Sequence, residues 1–405
     1  MKEKFTSYQL FVVVLLAFLQ FTVVLDFMIL SPLGAMLIAK LDITPAQFGR
    51  VVSAYAFSAG VSGLLAAGFA DRFDRRKLLL FFYFGFLGGT FFCGIAPTYG
   101  FLLAARTVTG LFGGVIGSVS FAIIADLFPI SMRGRVMGLV QTAFASSQVL
   151  GIPIGLFLAN HWGWHAPFLM IVGLGLAAGV VIVLRLQPIT EHLKSRSSRN
   201  PFAHLVATAT RSRYIAGFAA TMLLATGGYM LMPFGSTFLV QNLRIPIERL
   251  PIVYMVTGVG AMVAGPVLGR AADALGKYRV FAAGSIVAML VVVFFTRLGP
   301  VPIGVVLVIN VVMFAAITAR MVGSFALTSG LPDPPDRGAF MSIGASMQQF
   351  SGGVAAWTAG LIVHQASPTS PLENYPTLGL VVAGTIVVTL GVMYNVNRIV
   401  SVRAS

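Results

Sequence analysis

Apolar residues occur in long unbroken runs, such as VVVLLAFLQFTVVL at 12–25, and not in the alternation of a strand or the one-sided stripe of a soluble helix. A membrane β-barrel would show segments of about 10 residues with alternating polarity, which excludes that class. About 20 apolar residues are needed to cross roughly 30 Å of hydrocarbon. By that measure the chain predicts twelve membrane helices, near 9–38, 46–69, 78–95, 99–124, 136–159, 165–186, 213–238, 247–269, 278–296, 301–326, 339–364 and 377–396. Gly, Pro and charged residues punctuate them, as in DITPAQ, ADRFDRRK, APTYG, HWGWH, GKYR and LPDPPDRG. The longest polar interval, 187–212, separates two sets of six. The expected fold is an all-α integral membrane protein with a six-helix bundle at 1–186, a linker at 187–212 and a second bundle at 213–405.

Composition supports this reading. The 405 residues are 57% hydrophobic and 10% charged, where soluble domains carry about a quarter charged residues. A soluble enzyme, a nucleic-acid-binding module and a disordered scaffold are therefore excluded. The formal charge of +15 is explained by topology. With both termini on one side, twenty of the 27 Lys and Arg fall on that side, five on the other and two inside spans. The positive-inside rule then makes both termini and the 187–212 linker cytoplasmic. The first apolar run is too long for a signal peptide and is expected to stay in the mature chain. The one cysteine, Cys93, lies in an apolar run, so no disulfide, metal site or thiol chemistry is expected.

Asp26 is the only acid well inside a span. A carboxylate there costs about 2.5–3.5 kcal/mol even on lenient insertion scales, so it should face a partner or a water-filled cavity. Arg106 in the fourth span and Arg320 in the tenth are the intramembrane cations. Depth permits Arg106 to pair with Asp26 if their helices are neighbours. Arg320 either snorkels to headgroups or lines the cavity. Gln20, Ser146, Ser147, Gln148, Thr226, Tyr229, Asn310, Gln348 and Gln349 are the polar residues suited to line a pathway. Gln348 and Gln349 diverge around their helix, so one of them at most should point straight in. Gly151, Pro153 and Gly155 put helix breakers within a turn and a half, as a hinge requires. No phosphate-binding Gly-Lys-Ser/Thr loop is present, so a nucleotide-powered mechanism is unsupported and no cofactor is expected.

The halves repeat weakly at an offset of about 202 residues. FMILSPLG at 27–34 matches YMLMPFG at 229–235. The loop from Gly68 through Asp71 to Lys77 matches that from Gly269 through Asp273 to Arg279, and Arg133–Gly138 matches Arg337–Ser342. A six-helix unit duplicated in one orientation describes the halves of major facilitator transporters.

The loop GFADRFDRRK resembles the signature of the major facilitator superfamily between its second and third helices, with Asp74 where Gly is commoner. Arg106 with Gly110, Gly113 and Gly114 resembles the family's second motif. Gly151-Ile-Pro153-Ile-Gly155 resembles the motif of proton-coupled antiporters, departing from its usual Gly-Pro-x-x-Gly-Gly form. The resemblance covers the whole chain and is strongest to bacterial drug and sugar efflux permeases. It implies secondary active transport by alternating access, with Asp26 and Arg106 in proton coupling. It further implies a conformational switch at Gly68, Asp71, Arg72, Arg75 and Lys77, repeated at Asp273. The expected activity is proton-coupled efflux of a small amphipathic compound or sugar. The other reading is uptake, by symport or facilitated diffusion, of an anionic or polar metabolite held by Arg106 and Arg320. The expected setting is a monomer in the bacterial inner membrane, with a small-molecule substrate, no nucleic acid partner and no enzymatic activity.

Overall fold

A computed structural model describes residues 5–194 and 201–404. The first six spans are α1 (Ser7–Ile29) with the short α2 (Gly34–Leu41), α3 (Pro45–Phe69), α4 (Arg75–Gly94), α5 (Tyr99–Leu127), α6 (Ile130–Ser146) continuing into α7 (Ile152–Trp162), and α8 (Ala166–Arg185). After α9 (Pro201–Ala209) come α10 (Ser212–Leu231) with the three-residue α11 (Gly235–Thr237), α12 (Leu250–Leu275), α13 (Lys277–Phe295), α14 (Ile303–Thr328), α15 (Arg337–Ile362) and α16 (Tyr375–Ala404). Among the described residues, eleven helical segments are long and apolar enough to cross a membrane. The twelfth, α15, has 26 residues and a more polar sequence, RGAFMSIGASMQQFSGGVAAWTAGLI, because it packs between α3 and α10.

Three expectations about the spans change. The runs 9–38 and 213–238 are not single helices: the first breaks at Leu30–Leu33 and the second passes through a 3-10 turn at Met232–Phe234. Pro32 and Pro233, matched in the repeat, are the cause, since proline lacks an N–H and clashes with the carbonyl four residues back. In the fifth span the kink takes the form of a π turn, Ser147–Gly151, just before Pro153 in the first turn of α7. The 187–212 interval contains a helix, α9, that the polar composition did not predict.

Helix starts follow ordinary chemistry. Thr6 with Gln9, and Thr44 with Gln47, form reciprocal capping boxes on α1 and α3. Asp74, the departure from the commoner Gly, caps α4 by accepting from Arg76 N at 2.9 Å. Between helices, small residues allow the close approach on which association in lipid depends. A Cβ on Gly110 would stand 2.4 Å from the Tyr55 carbonyl oxygen, so α5 and α3 meet backbone to backbone.

The apolar core distinguishes the two ends of the molecule. At the end away from the linker, one cluster runs continuously through both halves, joining Leu33, Leu37 and Phe48 to Phe234, Phe238 and Ala356. At the linker end it divides into separate clusters, one around Phe82, Val119 and Val136 and another around Tyr214, Phe281 and Phe340. The halves are therefore fused at the far end and parted at the linker end. The seam at the far end is hydrogen-bonded too. Ser236 Oγ accepts from Ala35 N at 3.3 Å and donates at 2.8 Å to the Ser31 carbonyl, which also accepts from Gly34 N at 3.0 Å, so the hydroxyl serves backbone groups at the break around Pro32.

Candidate functional site

Asp26 and Arg106 meet at the middle of the first half. Arg106 Nη1 lies 2.8 Å from Asp26 Oδ2, with side chains 1% and 0% exposed. Thr90 on α4 donates its hydroxyl to Asp26 Oδ1 at 3.1 Å. The guanidinium lies over the Tyr55 ring, 4.5 Å from its centroid, and its Nε is buried without a hydrogen-bond partner. Three helices thus supply one anion, one cation and one hydroxyl in a space that excludes solvent. Such a pair persists because either member alone would be a bare charge in a low-dielectric interior, a loss of about 3–5 kcal/mol.

The pair adjoins the seam. Phe27, next to Asp26, has ring centroids 5.3 Å from Tyr55 and 5.6 Å from Tyr229 of the second half. The Tyr229 hydroxyl donates to Gln349 Oε1 at 2.7 Å, and its ring covers Gly352, where a Cβ would stand 2.4 Å away. Of the adjacent glutamines, Gln349 is the one bonded to Tyr229. Gln348 is exposed, on the same helical stripe as Gly352 one turn away. Arg106, Tyr55, Phe27, Tyr229 and Gln349 form one chain of contacts from the ion pair across to the second half.

The other candidates are more dispersed. Gln20 is half-buried beside Gly117, and Gln148 is half-buried in the π turn with its backbone against Gly258. Ser147 donates to the Phe21 carbonyl at 3.1 Å, tying that turn to α1, whereas Ser146 bonds only within its own helix, to Thr142 O at 3.0 Å. Thr226 and Ser351 share a hydroxyl contact of 2.9 Å. Gly151 and Gly155 seat Leu25 and Ile29, each with a Cβ position 2.7 Å from the nearest methyl, so the Gly-Pro-Gly segment lies against the α1 residues flanking Asp26. Asn310 is buried with its Nδ2 unpartnered. Arg320 does not snorkel: it is 5% exposed and donates from Nε to Ser285 Oγ at 3.2 Å. Among the described residues no carboxylate pairs with it.

At the linker face the first-half loop is closed by ions. Arg75, itself buried, reaches Asp71 at 2.7 Å, Asp126 at the end of α5 at 3.0 Å and the Ala70 carbonyl at 3.1 Å. Arg72 and Lys77 are exposed. Gly68 is covered by the Phe202 ring of α9. The matching Asp273 is exposed and makes no hydrogen bond or ion pair among the described residues. The second half instead gathers charge around Asp336, which takes the hydroxyl of Tyr214 at 2.8 Å, the ring of His204 at 3.1 Å and the guanidinium of Arg211. The Tyr214 and His204 hydrogen bonds, with the Arg211 charge, hold the Asp336 carboxyl below the usual carboxylate range. Sequence reasoning passed over Thr90, Tyr55, Asp126, His204 and Ser236, since a single Thr, Tyr or Ser in an apolar run carries no signal of its partner.

A twelve-span helical bundle with two repeated halves, parted at one end around a polar seam, is the architecture of a secondary transporter. The Major Facilitator Superfamily model matches residues 16–356, and the chain belongs to that family. It is 25% identical over 369 residues to the uncharacterized MFS-type transporter YbcL of Bacillus subtilis, covering 91% of this chain and 93% of that one. It is 23% identical over 222 residues to a probable sugar efflux transporter of Mannheimia succiniciproducens, covering 55% of each. Among solved structures, a bacterial homologue of the lysosomal transporter Spinster, inward-facing and unoccupied, aligns with a TM-score of 0.75 at 14% identity over 98% of both chains. The xylose transporter XylE from E. coli, partially occluded and inward open, aligns with a TM-score of 0.72 at 16% identity over 96% of this chain and 98% of that one. These likenesses show the fold. The protein is an integral membrane transporter for a small molecule, and not an enzyme.

Proposed function

We propose that this transporter exports a small amphipathic compound or sugar in exchange for protons, with Asp26 as the proton carrier and Arg106 as its counter-charge. The fully buried Asp26–Arg106 pair carries the reading. A carboxylate in such a place is idle unless something displaces its partner, and the Phe27–Tyr229 contact gives a substrate in the seam a way to do so. Gln20, Gln148, Tyr229, Asn310, Arg320 and Gln348 are assigned to the substrate pathway. Gly68, Asp71, Arg72, Arg75, Lys77 and Asp273, with the Gly151–Pro153–Gly155 hinge, are assigned to the switch between states. Residues 1–186 and 213–405 act as the two rocking units joined by 187–212. The protein works as a monomer in the bacterial inner membrane with the linker and both termini cytoplasmic. Relatives named as sugar efflux and multidrug resistance proteins favour export.

A thermal-shift panel of amphipathic cations, sugars and polar metabolites identifies the ligand. That ligand is then added to proteoliposomes with an acidic, dye-loaded lumen. Exchange makes the lumen more alkaline, symport makes it more acidic and facilitated diffusion leaves it unchanged. Asp26→Asn should abolish the pH response while leaving the protein folded and ligand binding intact. A wild-type pH response in that variant would place coupling elsewhere. Reporter fusions in 187–212 that read outside would overturn the orientation.

A further inference from the structure

The short helix α9 touches α3 of the first half and α15 of the second. Its Phe202 ring meets α3 at Gly68, where a Cβ would stand 2.0 Å from the ring, so only glycine admits it. On the other side His204 Nε2 lies 3.1 Å from Asp336 Oδ1, and Leu205 joins the linker-end cluster with Tyr214 and Phe340. Farther from the linker face, α3 and α15 are in direct contact: a Cβ on Gly60 would stand 3.1 Å from the Phe350 ring, and one on Gly63 3.5 Å from Ser346 Oγ. Towards the linker face they diverge around a cavity of about 360 Å³ lined in part by Ala66, Ala70, Gly338, Ala339, Ser342 and His204. Small residues of the kind that close helix packing in lipid requires make up much of its wall, beside Asp71, Arg75, His204 and Leu205.

We propose that α9 is a wedge: Phe202 in the Gly68 notch, anchored through His204 to Asp336, keeps the linker-face ends of α3 and α15 apart, and the transporter closes that face only when Phe202 leaves. This rests on the alternating-access reading. His204 and Leu205 of α9 line the cavity opposite Ala70, Gly338 and Ala339, so α9, seated on α3 by the Phe202 ring at Gly68, and closure compete for one space. A latch would predict the reverse, since removing it would let the face open wider.

Spin labels at Gly134→Cys on α6 and Ala274→Cys on α12, in a Cys93→Ser background, report the opening in full-length protein in lipid nanodiscs. Both positions are exposed, and nothing lies within 4 Å of a Cβ at Gly134. Phe202→Ala should move the population from the long to the short distance, by roughly fivefold in their ratio. His204→Gln should shift it the same way by less, and Phe202→Trp should keep the long distance. Two populations that Phe202→Ala leaves unchanged, or moves to the long distance, would overturn the wedge alone. A single distance in the wild type under every ligand and pH condition would remove alternating access and the wedge with it.

Discussion

In the first half, Asp26 has a guanidinium at 2.8 Å and a threonine hydroxyl at 3.1 Å. In the second half the position matching Arg106 is Asn310, buried with an unpartnered amide nitrogen. The linker-face loops differ in the same way. Asp71, Arg75 and Asp126 form a closed set, while Asp273 is exposed. Duplication preserved the helices and their proline breaks but not the charges. A helix break needs only one residue, so it survives drift. An ion pair needs two, and once one is lost the other becomes a burden in the membrane. The second half carries its own charge set at a different place, around Asp336, so the halves no longer do the same job.

Breaking that asymmetry should cost unequally. The largest effect is expected from Arg106→Ala, which strands Asp26: about 3–5 kcal/mol of stability and all proton-driven accumulation. Adding Asp26→Asn should restore much of the stability, a coupling of about 1–3 kcal/mol by double-mutant cycle in thermal unfolding. Asn310→Ala should cost less than about 1 kcal/mol, since its amide nitrogen makes no bond to lose. An equal loss in the two halves would mean that the pair has no special standing.

Arg75→Ala should come next, at about 1–3 kcal/mol, because Asp71, Asp126 and the Ala70 carbonyl each lose a charged donor. Asp273→Ala should lie within about 0.5 kcal/mol of wild type, as for an ordinary exposed site. Urea unfolding in detergent measures both. A pH-dependent effect is expected at Asp336. Its lowered carboxyl contributes stability that is present above the unfolded carboxylate value, about 3.9, and lost as pH falls towards its folded value. The wild-type melting temperature should therefore fall more steeply in acid than that of Asp336→Asn. Parallel curves would show that the His204–Arg211–Tyr214 cluster is indifferent to its charge.

Much of the fold was legible because hydrocarbon thickness imposes its own ruler on sequence. The twelve spans, the repeat and the family all follow from run length and a few loop residues. Asp26 and Arg106 stood out because a charge in an apolar run is expensive. What escaped was partnership. Nothing in GGTFFCG marks Thr90 as the third member of the site, and nothing in PFAHLVATA announces that its Phe faces Gly68. The breaks at Pro32 and Pro233 were visible as residues but hidden inside runs long enough to pass for whole helices. Gln348 and Gln349 show the limit of periodicity, which separates neighbours by angle without saying which one finds Tyr229.

The Ser236 bridge has an evolutionary reading. Ser236 and Ala35 are 201 residues apart, the spacing that also relates Pro233 to Pro32, so each is the other's image in the repeat. A residue that meets its own image sits on the pseudo-two-fold axis. In an assembly of two identical six-helix subunits that position would be forced to match itself, two serines competing for one gap or two alanines leaving Ala35 N without its side-chain acceptor and Ser31 O with Gly34 N alone. A fused chain escapes the constraint and can place the hydroxyl on one side and the methyl on the other. Covalent fusion thereby turns a symmetric contact into a keyed one, with a preferred way for the halves to seat. Ser236→Ala should return the contact to its symmetric, unkeyed form at about 1–2 kcal/mol, and cysteine labelling across the far-end seam should then become faster than in the wild type.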